Sequence, residues 1–151
     1  PNNESEPFEV SLIISSGSII PVTALNDIGI MNEDFFIDYV DTEWCLRAIK
    51  NGYKIYVSPN ALMKHAIGDK MFKVLEVLIY LSIRGMRRYY RVRNCLYFFK
   101  MKHIPLVLKL RDFIFNIIHQ VIIIINVGNK KDYIYSLLKG IKDGVLYLYR
   151  K

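Results

Sequence analysis

From residue 113 to residue 127 the chain runs for fifteen positions without a charge, FIFNIIHQVIIIINV. So apolar a stretch has to be covered by protein or by lipid. It falls short of the roughly 20 residues that cross a bilayer as a helix, and Asn116, His119 and Gln120 interrupt it. With Lys109 and Arg111 before it and Lys130 and Lys131 after it, it reads as an interfacial helix or a helical hairpin. The surrounding composition agrees: 151 residues, 52% hydrophobic and 23% charged, exclude a disordered or fibrous chain. Two cysteines, Cys45 and Cys95, give neither a disulfide framework nor metal-ligand spacing, so a reducing compartment is expected. The first nine residues are polar and acidic rather than basic then apolar, unlike a signal peptide. Pro1 reads as a cut end of something longer.

Charge divides the chain. Residues 1–69 hold four basic residues against ten acidic ones, and residues 70–151 hold seventeen against four. A split of this size implies two different surfaces, the basic one facing an anionic partner. We therefore expect an α/β first region over residues 1–69 and a mostly α-helical basic tail over residues 70–151.

Along the first region, residues 8–15 read as a buried strand that ends at Ser15-Ser16-Gly17. A second short run, 18–22, leads to a brief helix over 24–28 with Thr23 as cap and Gly29 as terminator. Residues 35–40, FFIDYV, read as extended. Asp41 is then the expected cap of a helix that carries Glu43 in its first turn, Cys45, Leu46 and Ile49 at core spacing, and Gly52 past its end. A strand over 54–58 and a turn at Pro59-Asn60 follow. In the second region, helices are expected over 86–102 and 133–148.

The densest polar cluster is Asp34, Asp38, Asp41 and Glu43, set among Phe35, Phe36, Tyr39 and Trp44. Carboxylates beside aromatic faces suit a sugar, which offers apolar C–H faces and hydroxyl donors. Acidic residues at a helix start also satisfy the helix dipole with no further role. His65 stands alone, without metal-ligand spacing to other residues.

Taken together, SSGSII (15–20), ALNDIG (24–29), NEDFFIDYVDTEWCLRAIKNGYKIYV (32–57) and KHAIGD (64–69) resemble the C-terminal half of the catalytic domain of family 2 glycosyltransferases. The likeness is strongest to bacterial rhamnosyltransferases of O-antigen and capsule synthesis, and RRYYRVRN (87–94) resembles the segment that follows that domain. The resemblance covers about residues 10–100. It implies a GT-A, Rossmann-like fold and an inverting transfer of L-rhamnose from dTDP-rhamnose to a lipid-linked saccharide. Asp41 matches the catalytic base, with Val40 where many members have glutamate. A carboxylate is a weak base, sufficient if the attacking hydroxyl loses its proton late.

The resemblance further implies that Ser16 and Gly17 form the turn beneath the substrates, that Glu43 and Trp44 line the acceptor pocket, and that His65 helps hold the metal or the leaving diphosphate. Arg93 and its neighbouring arginines would reach a diphosphate. A divalent metal, magnesium or manganese, would be held mainly by a preceding nucleotide-binding half, because this sequence has no Asp-x-Asp and no glycine-rich nucleotide loop. The expected partners are a nucleotide-sugar donor, a lipid-linked acceptor and an anionic membrane surface, with no nucleic acid. The expected place is the cytoplasmic face of the cell membrane. The alternative is a non-catalytic basic-aromatic helical domain that docks on a membrane or a partner.

Overall fold

The computed structural model describes residues 6–64, 71–74, 77–80, 85–126 and 130–150. The chain divides into two compact units: Pro1–Asp34 with Val40–Ala66, and Phe35–Tyr39 with Ile67–Lys151. The described residues are mostly helical, with two separate two-stranded antiparallel sheets. The α/β expectation for the first region therefore reduces to one short ribbon and two helices.

In the first unit β1 (Phe8–Val10) pairs antiparallel with β2 (Ile55–Val57), Phe8 opposite Val57 and Val10 opposite Ile55. The expected strand over 8–15 is cut to three residues because its partner is that short. Pro59 lacks a ladder donor, and Gly52, at φ 84°, turns the chain just before β2. Leu12 and Ile14 are exposed, against the expectation of a buried strand. Helix α1 (Val22–Ile28) starts right after Pro21, so Thr23 lies inside it and does not cap it. Gly29, at φ 90°, ends it as expected.

Helix α2 (Val40–Lys50) packs Trp44 and Ala48 against Ala24 and Ile28 of α1 to form this unit's core. Asp41 sits in its first turn and is not its cap, because Val40 is already helical. Cys45 is buried as expected, whereas Ile49 is exposed.

The segment before α2 is not extended. A 3₁₀ turn, Glu33–Phe35, is followed by Phe36, Asp38 and Tyr39 at φ 59°, 59° and 68°. Left-handed backbone costs a non-glycine residue about 1–2 kcal/mol, so the second unit must hold it. It does so with α3 (Gly85–Lys100), whose fully buried Asn94 donates its amide to the carbonyls of Phe35, Ile37 and Asp38 at 2.9, 2.8 and 3.2 Å. Arg87 pairs with Asp38 at 3.0 Å. Phe35 packs edge-on against Phe98, and Tyr39 does the same at 4.7 Å.

The second unit also carries β3 (Met71–Val74) paired antiparallel with β4 (Val77–Tyr80), which the sequence reading did not anticipate. Helices α4 (Leu106–Asn126) and α5 (Lys130–Tyr149) complete it. Residues 113–126 of the uncharged run lie within α4 as part of one continuous helix, not a hairpin, and Val127 lies outside the described residues. No helix among the described residues is long and apolar enough to cross a membrane.

Close packing of α5 on α3 depends on two glycines. A Cβ at Gly140 would meet the Tyr89 carbonyl oxygen at 2.7 Å, and one at Gly144 would meet Leu96 Cδ1 at 2.5 Å. Tyr97 and Tyr147 stack with ring centroids 3.6 Å apart, and Tyr89 donates to Asp143 at 2.7 Å. Lys100 closes the far end of α5 by donating to the carbonyls of Tyr147 and Arg150, the favourable place for a cation on the helix dipole.

Helix α4 is held to α3 by polar groups. Lys109 donates to the Phe99 carbonyl at 3.3 Å, and Asn116 donates to the Arg91 carbonyl at 3.1 Å. Gln120 in turn donates to Asn116 Oδ1 at 2.7 Å. Nearby, Arg88 is buried with Nε and Nη1 unpartnered. Burial, then the neighbouring Arg91 charge, lowers its pKa to about 10.

Candidate functional site

In the first unit a pocket of about 270 Å³ opens between the 13–21 segment, α1, α2 and β2. This is near the lower end of small-ligand pockets, which start at about 300 Å³. Its lining is mainly apolar, with Asp41 as its one carboxylate, and Ser15, Ser18, Tyr53 and Tyr56 as its hydroxyls. An acidic group at an apolar pocket with several hydroxyls can take a proton from, or hydrogen-bond to, a polyhydroxylated ligand.

The elements around the pocket follow from local sequence. Gly17, at φ 77°, lets the 15–18 turn close, with the Ser18 amide donating to the Ser15 carbonyl at 3.0 Å. A Cβ there would also press on Met63 Sδ at 3.1 Å. Ser16 and Gly17 are part of that turn, but its flanking residues Ser15 and Ser18 are the ones that line the pocket.

Trp44 lines the pocket, and its indole N–H donates to the Gly29 carbonyl at 2.8 Å, so its ring is fixed. Tyr53 is likewise oriented by donating to Asp27 at 2.5 Å, a bond that raises its pKa. Cys45 also borders the pocket. Burial raises its thiol pKa, its hydrogen bond to the Ile13 carbonyl partly offsets that, and the nearby Asp41 adds to the rise.

Glu43 does not reach the pocket. It is buried, and both of its oxygens accept from Arg47, Oε1 from Nε at 2.9 Å and Oε2 from Nη2 at 3.0 Å. Arg47 also donates to the carbonyls of Ile28 and Ile30, both at 2.8 Å. Glu43 thus orients the arginine that closes the end of α1. The sequence carried the signal: an acidic residue four positions before a basic one on a helix pairs with it.

Arg93 belongs to the second unit. Its guanidinium donates to Asn94 Oδ1 at 2.8 Å and lies 4.7 Å from the ring centroids of Tyr90 and Tyr97. It lies there against the aromatic cluster and also donates to the Phe35 carbonyl at 3.4 Å. His65 lies outside the described residues. Among the described residues no group of three or more His, Cys, Asp or Glu side chains is placed to hold a metal ion. Sequence reasoning missed Ser15, Ser18 and Tyr53, whose proximity depends on tertiary packing. It also missed the Gly140-x-x-x-Gly144 spacing, which was legible as a close helix approach.

No protein-family model matches the chain, and no solved structure matches it. Among curated proteins it is similar to the dTDP-rhamnosyl transferase RfbF of Shigella flexneri, with 40% identity over 139 residues. The matched region is 92% of this chain and 47% of that protein, so the chain spans about half the length of the curated relative it matches.

Proposed function

We propose that this chain is the acceptor-side part of a rhamnosyltransferase of family 2, GT-A type, transferring L-rhamnose from dTDP-rhamnose to a lipid-linked saccharide. The observation that carries the reading is the 40% identity to a dTDP-rhamnosyl transferase across nearly the whole chain. Asp41 in the lining of the first unit's pocket supports it further. Its carboxylate takes the proton of an acceptor hydroxyl as that oxygen attacks the anomeric carbon opposite the departing nucleoside diphosphate, so configuration inverts. Trp44 and Tyr53 hold the pocket walls, and Ser15 and Ser18 offer hydroxyls to the sugar. The donor diphosphate and its magnesium or manganese ion are assigned to the part of the enzyme this chain does not span.

The test is Asp41→Asn in the complete enzyme, assayed by transfer of labelled rhamnose from dTDP-rhamnose. Transfer should fall by about 10²–10⁴-fold, with the urea unfolding midpoint unchanged. The wild-type product should carry the anomeric configuration opposite to the donor's. Undiminished transfer by the variant would remove Asp41 as the base. No transfer by the wild-type enzyme would favour a non-catalytic basic-aromatic module instead.

A further inference from the structure

Helix α4 is amphipathic in the reverse sense for a helix in water. Its buried positions are Lys109, Asn116, Gln120 and Ile123. The first three are polar and are satisfied against α3 or each other. At 100° per residue these four fall on one narrow side of the helix. The opposite side presents Val107, Leu110, Ile114, Ile118, Val121 and Ile125, all exposed, Ile114 by 56% and Ile125 by 69%. Arg111 is the one charged residue on that side. A helix in water stabilises its fold by burying its apolar stripe. This one buries a mostly polar stripe and leaves Ile114, Ile118 and Ile125 outside.

The apolar surface continues across a groove onto α5. Phe113 and Ile117 of α4 face Leu137, Ile141 and Val145 of α5 across a cavity of about 340 Å³. Beyond the groove, Ile134 and Leu138 are exposed as well. An apolar patch that extends over two long helices marks a surface that meets something other than water.

Charge selects what that is. Residues 85–150 hold thirteen basic residues against three acidic ones. Arg111, Lys130, Lys131, Lys139 and Lys142, on the same two helices, are exposed. A second copy of the chain would set this positive field against its own equal. An anionic lipid surface matches both the charge and the apolar face.

We infer that the α4–α5 face docks onto an anionic bilayer, with the isoleucine side of α4 entering the headgroup–acyl boundary and the lysines of α5 meeting lipid phosphates. This goes beyond the transferase reading and does not rest on it.

The experiment is co-sedimentation of the whole chain with vesicles of phosphatidylglycerol and phosphatidylethanolamine, against vesicles of phosphatidylcholine alone. The anionic vesicles should bind at least about tenfold more tightly, with affinity falling as salt is raised. Ile114→Glu with Ile118→Glu, both at exposed positions, should weaken binding by about tenfold or more, with an unchanged urea midpoint. Lys131→Glu with Lys142→Glu should reduce the preference for anionic vesicles while the midpoint again holds. Equal binding by wild type and the isoleucine double variant would overturn the proposal, as would no binding to anionic vesicles. Concentration-dependent dimers in sedimentation equilibrium that the double variant abolishes would assign the face to a second copy and overturn it too.

Discussion

Arg47 holds two pieces of backbone and one carboxylate at once. Its guanidinium satisfies the Ile28 and Ile30 carbonyls and both oxygens of the buried Glu43. Removing it leaves a carboxylate in the interior with its ion-pair partner gone, the costly half of breaking a buried pair. We expect Arg47→Ala to lower stability by about 3 kcal/mol, read as a drop in the urea midpoint. Glu43→Gln should cost less, because a neutral amide can still accept from the arginine. This pair also shows what a single sequence yields at this scale. The i,i+4 spacing was visible, yet the aromatic neighbours of Glu43 drew it toward a ligand-binding role. Asp41 shows the opposite: its place in a pocket lining depends on the 13–21 segment and β2, and no spacing along the chain encodes that meeting.

Helices α3 and α5 were legible to within three residues, because periodicity and glycine punctuation are local. Helix α4 starts at Leu106, seven residues before the uncharged run that announced it, because the charged residues Lys109 and Arg111 are part of the same helix. Which side of α4 would face inward was not legible, because the rule that apolar residues go inside fails for it. One consequence concerns His119, on α4. Burial, then the positive charges of Arg91 and Arg88, lowers its pKa, with Asp112 acting weakly the other way. Below its ordinary pKa of about 6.5 the unfolded chain takes up a proton that the folded chain resists. Stability therefore falls as pH drops from about 6.5 toward the lowered folded value, then levels off. His119→Gln should flatten that decline, measured as urea midpoints between pH 7.5 and pH 5. A decline of undiminished slope in the variant would assign the acid sensitivity to other groups.

At the scale of the whole molecule, composition separated an acidic region from a basic helical one, and helical content in the second followed from sequence alone. The short antiparallel ribbon of the first unit did not, because an apolar run of eight residues says nothing about the length of its partner. Nor did the course of the chain between the units. Phe35–Tyr39 lies in the acidic region by sequence and in the helical unit by packing. The backbone thus passes from one unit to the other three times, at 34–35, 39–40 and 66–67. No single cut can release either unit whole. A fragment of residues 67–151 would lack the five residues Phe35–Tyr39, which Asn94, Arg87, Phe98 and Tyr90 hold, leaving a fully buried amide without its three acceptors and an aromatic cluster open to water. Such a fragment should unfold at lower urea than the same unit within the chain, and a synthetic peptide of residues 33–41 added in trans should restore part of the loss. The segment acts as a stitch in the course of the chain: a stretch of the acidic region is sewn into the helical unit, so a boundary drawn by composition would cut through that unit's own core.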